Sequence, residues 1–179
     1  KFGNCDKPGV YFDEENRRHL NSIRQAYAAA AMNLAENNKK EEARKMLEKC
    51  DKMMLEENFP YGMVSRSQQH NFISLLMLRA SYLCGDTTLA AKISKSLKKD
   101  LQQQLEYYSK LDDNKISSFD YIDQRGNKRG DRNDAERYLG QMQMMEQEFR
   151  NSQAPQPTDN PGAIKAQGVP QGKPDSPKH

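Results

Sequence analysis

Three histidines, three cysteines and a scatter of carboxylates are the groups with which this chain could do chemistry. Nucleophilic or acid–base catalysis needs a base within hydrogen-bond reach of a nucleophile, inside a pocket. His19 follows Arg17 and Arg18 on a face that reads as exposed, His70 sits among Gln68, Gln69 and Asn71 at the start of a helix, and His179 ends the chain. These neighbourhoods predict surface or helix-terminal roles for His19 and His70 and pair neither with a nucleophile. Cys5, Cys50 and Cys84 form no C-x-x-C pair, so zinc-ribbon and thioredoxin-type readings fail on spacing. Cys50 and Cys84 instead fall on apolar helical faces, where a thiol behaves as a small hydrophobe. Asp131-Arg132-Asn133-Asp134 opens like a calcium loop but lacks the glycine and the closing glutamate at the required offsets, and reads as a helix cap. Glu14 and Glu15 suit the positive end of a helix dipole. Gly126 and Gly130 bracket a turn with no strand before it, so no phosphate-cradling loop is predicted. No catalytic residue, metal site or cofactor is expected.

Charge narrows the partners. Lys plus Arg number 28 against 25 Asp plus Glu, a net +3, which argues against a dedicated nucleic-acid binder with a strong clustered basic footprint. Lys92, Lys95 and Lys99 share a helical face with Lys98 beside them. That row reads as a solvated face, with anionic lipid headgroups or an acidic partner as the sharper alternative. No aromatic residues interleave there to stack bases. Met46, Met53, Met142 and Met145 lie at core-facing spacings and read as gap-filling packing rather than a promiscuous groove.

The apolar fraction of 35% falls below the roughly 45–50% of ordinary globular chains, so part of the chain is expected to be unfolded or the fold to be thin. The longest apolar run, Ala26–Met32, is far short of the ~20 residues of a membrane span. Six of the eight prolines fall in 154–179, a stretch without aromatics that reads as a flexible Pro/Gly-rich tail. From Tyr61 through Gln153 there is no proline, as helices require.

Helical spacing follows segment by segment after a lead-in of residues 1–12. A first helix is predicted from about Glu14 to Asn37, capped by Asp13, and a second from about Lys39 to Glu57, capped by Asn38 with Glu41 three residues on. Asn58–Arg66 is a loop broken by Pro60 and Gly62. A third helix begins near Arg66 after a Ser65/Gln68 capping pair, is apolar on most sides through Leu83, and should be central. Gly85 ends it and Asp86 caps a fourth, reaching Lys110. Residues 112–131 form a polar loop, in which Ile116, Phe119, Tyr121 and Ile122 could make a short docked segment, and 132–153 a fifth helix. No run alternates long enough to be a strand. The expected fold class is all-α.

Helices joined by one or two residues pack antiparallel, so 13–111 should hold two helical hairpins. The first fits a tetratricopeptide-like unit: Tyr27 in the aromatic slot, Ala30, Ala31 and Ala43 in close-packing slots, with Leu34, Leu47 and Cys50 following. The second fits less well, since Ser94 stands where a large residue is expected, and Ala43 and Ala90 are 47 residues apart rather than the roughly 34 of that repeat. A right-handed α-solenoid fragment of about five helices is the leading architecture; an irregular four- or five-helix bundle satisfies the same periods.

The stretches KPGVYFDEENRRHL, AYAAAAMNLAENNKKEEARKMLEKCDKMM and ENFPYGMVSRSQQHNFISLLMLRASYLCGD, across roughly Lys7–Leu111, resemble the C-terminal soluble region of a bacterial multi-span membrane-protein family related to protein O-mannosyltransferases. The resemblance implies a tetratricopeptide-like appendage on the periplasmic face of the inner membrane. That family's catalytic acids sit in its membrane portion, so no catalytic residue carries over. The Lys1 start is expected of a piece excised from a longer chain.

The expected function is a non-catalytic interaction domain that binds protein or peptide, or positions substrate beside the membrane-embedded part of the same parent chain. A purely structural packing or self-association domain is the alternative. In the repeat alignment Gln25 and Met32 of helix one, and Arg79 and Tyr82 of helix three, are the expected partner contacts, with Arg79 otherwise expected to pair with a buried acid.

Overall fold

The computed structural model describes residues 3–153; the proline-rich tail predicted over 154–179 lies outside the described residues. The element order is α1 (Glu14–Glu36), α2 (Lys40–Met53), a 3-10 turn (Arg66–Gln68), α3 (Gln69–Cys84), α4 (Thr87–Tyr108), α5 (Asp113–Ser117), β1 (Asp120–Ile122), β2 (Lys128–Gly130) and α6 (Asp131–Gln153). The molecule is mostly helical. The expectation of no strand is corrected by the antiparallel β1–β2 ribbon, which pairs Tyr121 with Arg129.

Local chemistry sets several boundaries. Asp13 caps α1 by accepting from the Asn16 backbone N–H at 2.8 Å. Asp86 caps α4 by accepting from the Leu89 N–H at 3.0 Å. Gly85 closes α3 in the left-handed region, where a side chain would be strained. Asn38, expected to cap α2, instead takes a φ of 62° and turns the chain; Lys39 holds the cap position without a side-chain bond. α2 then ends at Met53 rather than Glu57, and α3 starts at Gln69, with the Ser65 hydroxyl accepting from the His70 N–H at 2.8 Å.

α1 packs against α2 and α3, α2 also meets α3, α3 lies against α4, and α6 rests on both α4 and α3. α3 is therefore central, as its apolar girth requires. Ala28, Ala31, Ala43 and Ala80 are buried, which lets helix axes approach closely, while Leu47, Leu78, Ile93, Leu97 and Leu101 fill the space between. Cys50 and Cys84 are buried free thiols, as their faces predict, and so is Cys5.

The connection after α2 belongs to the core. Phe59 and Tyr61 are buried, and the Arg24 guanidinium lies between them, 4.2 Å from one ring centroid and 4.4 Å from the other. Arg24 donates to the Phe59 carbonyl at 2.8 Å and the Pro60 carbonyl at 3.1 Å. Burial lowers its pKa, and the rings and carbonyls, with no carboxylate in direct contact among the described residues, carry its charge. Asn58 ties the N-terminal lead-in to this loop by donating to the Cys5 and Lys7 carbonyls.

Candidate functional site

An open groove of about 1100 Å³ runs between α1, the end of the 58–65 loop, the β1–β2 ribbon and α6. On the α1 side stand Glu14, Arg17, Arg18 and Asn21. Positions 14, 18, 21, 25 and 32 recur at steps of three, four and seven, so this wall continues toward the N-terminus the same stripe that holds Gln25 and Met32. Opposite, Met63, Val64, Ser65 and Arg66 form the rim, with Gln69, His70 and Phe72 of α3 behind it. Tyr121 to Arg125, Arg129 and Tyr138 close the far side.

Hydrogen bonds fix the rim and the far wall. The Met63 N–H donates to Asn71 Oδ1 at 3.1 Å, and Asn71 donates to Asp100 Oδ2 at 2.8 Å, anchoring the rim to α4. Behind the rim, Gln68 donates to Gln104, and the backbones of Ser67 and Gln68 are left-handed without being glycine. Single residues of this kind persist only where the surroundings over-determine them. On the opposite wall, the Tyr121 hydroxyl donates to Asp134 of α6, and burial together with that bond raises the Tyr121 pKa. Asp123 shapes the ribbon's turn by accepting from the Arg125 and Asn127 N–H groups, at 2.9 and 2.8 Å, and from Arg129 at 3.1 Å. Those bonds, the Asn127 backbone first among them, hold its pKa down to about 2.

His70 corrects the surface reading. It sits in the first turn of α3 but is fully buried, its ring edge-on to Phe59 and its Nε2 2.7 Å from the Pro60 carbonyl. A carbonyl only accepts, so Nε2 carries the hydrogen and Nδ1 is the bare acceptor. Desolvation, followed by the Arg24 charge, presses the His70 pKa down to about 3. His19 is exposed beside Glu15, as expected.

The four predicted contact residues do not gather in the groove. Gln25 is exposed on α1 and Met32 is half-buried against the core. Arg79 is exposed and makes no ion pair among the described residues, so the buried-acid alternative is corrected. Tyr82 stacks on Phe149 of α6 at 5.0 Å between centroids, and one α3 face is thus largely taken up by α6, Phe72 lying 6.4 Å from the Tyr138 ring. The lysine row is divided: Lys92 pairs with Asp51 at 2.6 Å, while Lys95, Lys98 and Lys99 are exposed. Among the described residues no cluster of three metal-ligating side chains occurs and no helix is long and apolar enough to cross a membrane. No protein-family model, no curated protein and no solved structure matches this chain.

Proposed function

We propose that this chain is a non-catalytic interaction domain, a tetratricopeptide-like fragment that holds a protein or peptide segment against the N-terminal ends of α1 and α3. The succession of contacts supports the repeat-like reading: α1 meets α2 and α3, α2 meets α3, and α3 meets α4, as in stacked helical hairpins. α6, lying on α3 and α4, then takes the place of a third unit's first helix. Following the resemblance, the domain would be the periplasmic appendage of a membrane glycosyltransferase-like parent and would face that parent's membrane-embedded part.

One observation carries the binding reading. Val64, Phe72 and Ile122 are 65%, 42% and 67% exposed, and these three of the six exposed large hydrophobics of the described residues line one groove. Exposed apolar side chains gathered at a concave, polar-rimmed surface mark an interaction site, whereas single ones need no explanation. Peptide display against the 179-residue chain tests it. Peptides enriched on the parent chain should be lost on Val64→Asp and Ile122→Asp. Enrichment indifferent to both changes would refute the groove.

A further inference from the structure

We propose that the groove accepts an extended acidic segment of a partner protein, with carboxylates alternating with small apolar side chains; this rests on the chain being an interaction domain. Five arginines face two carboxylates there, and both carboxylates are engaged. Glu14 lies 3.5 Å from Arg18, and Asp123 lies 3.1 Å from Arg129. Arg17, Arg66 and Arg125 make no ion pair among the described residues. Among the described residues Arg17 is held by the Met63 sulfur alone, at 3.4 Å, which leaves most of its guanidinium donors unmet there. Such a concave cationic surface attracts carboxylates and can bind them with two parallel bonds each.

The groove also carries exposed apolar surface. Val64 and Ile122, 65% and 67% exposed, line it beside the arginines. A lone phosphate has no apolar part, whereas a peptide brings apolar side chains together with carboxylates. Val64 and Ile122 then cover the apolar side chains between the acids.

Three pools of short fluorescein-labelled peptides test this by anisotropy on the 179-residue chain. In all three, Leu, Val and Ala alternate with a second residue type: Glu or Asp, Gln or Asn, or Lys. The acidic pool should bind best and weaken as ionic strength rises to about 0.15 M, where charges are screened beyond roughly 8 Å. Arg66→Glu with Arg125→Glu should weaken it at least about tenfold, and Arg66→Gln with Arg125→Gln by less, while Lys98→Glu with Lys99→Glu on α4 should leave it unchanged. Far-UV circular dichroism checks that each variant is folded, and the glutamine pair decides should the glutamate pair misfold. Equal binding of the amide pool, still lost on Ile122→Asp, would overturn the acidic partner and leave the groove reading standing. Tighter, arginine-dependent binding of a single-stranded oligonucleotide would overturn the proposal in favour of nucleic acid. Binding of no pool would overturn both.

Discussion

Acidification should destabilise this domain through His70. His70 is neutral in the fold because its Nε2–H is donated to the Pro60 carbonyl and its Nδ1 is buried with no acceptor among the described residues. A second proton would sit at that Nδ1, desolvated and near the Arg24 and Arg17 charges. Its pKa is about 3 in the fold against an ordinary 6.5. Between those values the unfolded chain binds a proton that the folded chain refuses, so stability rises with pH there and is lost as pH falls below about 6.5. The contribution is flat above that range. At about pH 5, roughly 1.5 pH units below the unfolded value, the loss is about 2 kcal/mol, a sizeable part of the roughly 5–15 kcal/mol that holds a domain together. Asp131 works in the opposite sense: burial, then Asp134 and Asp120, raise its pKa to about 6, so it takes up a proton over the same range and favours the fold. Comparison with His70→Gln removes that background, since an amide donates to Pro60 without titrating. Urea unfolding followed by far-UV circular dichroism, at about pH 7.5 and about pH 5, should show the parent losing about 2 kcal/mol more than His70→Gln. Equal losses in the two proteins would refute the buried neutral imidazole.

Two further perturbations address the loop that His70 secures. Arg24→Ala leaves two buried carbonyls unsatisfied and a cavity between the rings and should cost about 2–5 kcal/mol by thermal unfolding; Arg24→Lys should recover only part, because an ammonium cannot fork to two carbonyls while stacking between rings. Gly62→Ala would place a Cβ 2.3 Å from the Ser96 carbonyl oxygen and 2.7 Å from Asp100 Cβ, both on α4, and overpacking of this kind should lower the denaturant midpoint by about 1–3 kcal/mol equivalent at unchanged slope.

What could be read from the chain was what local chemistry decides. Asp13, Gly85 and Asp86 announce helix ends through bonds made within a few residues, and the structure uses all three that way. The β1–β2 ribbon escaped because three-residue strands are too short to show alternation. Its nearest signal was the turn-prone run Asp123–Asn127, in which Gly126 takes a φ of 79°. His70 does lie at a helix terminus, but its burial escaped because its partner, the Pro60 carbonyl, comes from a folded-back loop that periodicity cannot position. Half of the groove was within reach: extending the Gln25/Met32 stripe backward meets Asn21 and Arg18. The other half depends on where the ribbon and α6 dock, a tertiary fact with no local signature.

The extra length that spoils the repeat spacing has a structural use. Ala43 and Ala90 stand 47 residues apart, and much of the excess over about 34 is the loop that delivers Phe59 and Tyr61 to the core and Met63 to Ser65 to the groove rim. Arg24 from α1 and the His70 ring from α3 meet on the same Pro60 carbonyl, and Asn71 holds the Met63 amide three residues on. The rim is therefore positioned by buried polar groups of two helices rather than by its own sequence. A loop held this way presents Val64 and Arg66 without further ordering, so little conformational entropy remains to be lost when a segment binds. Such preorganisation requires buried bonds in place of a simple apolar core, which accounts for a fully buried arginine in a domain otherwise packed with alanine and leucine.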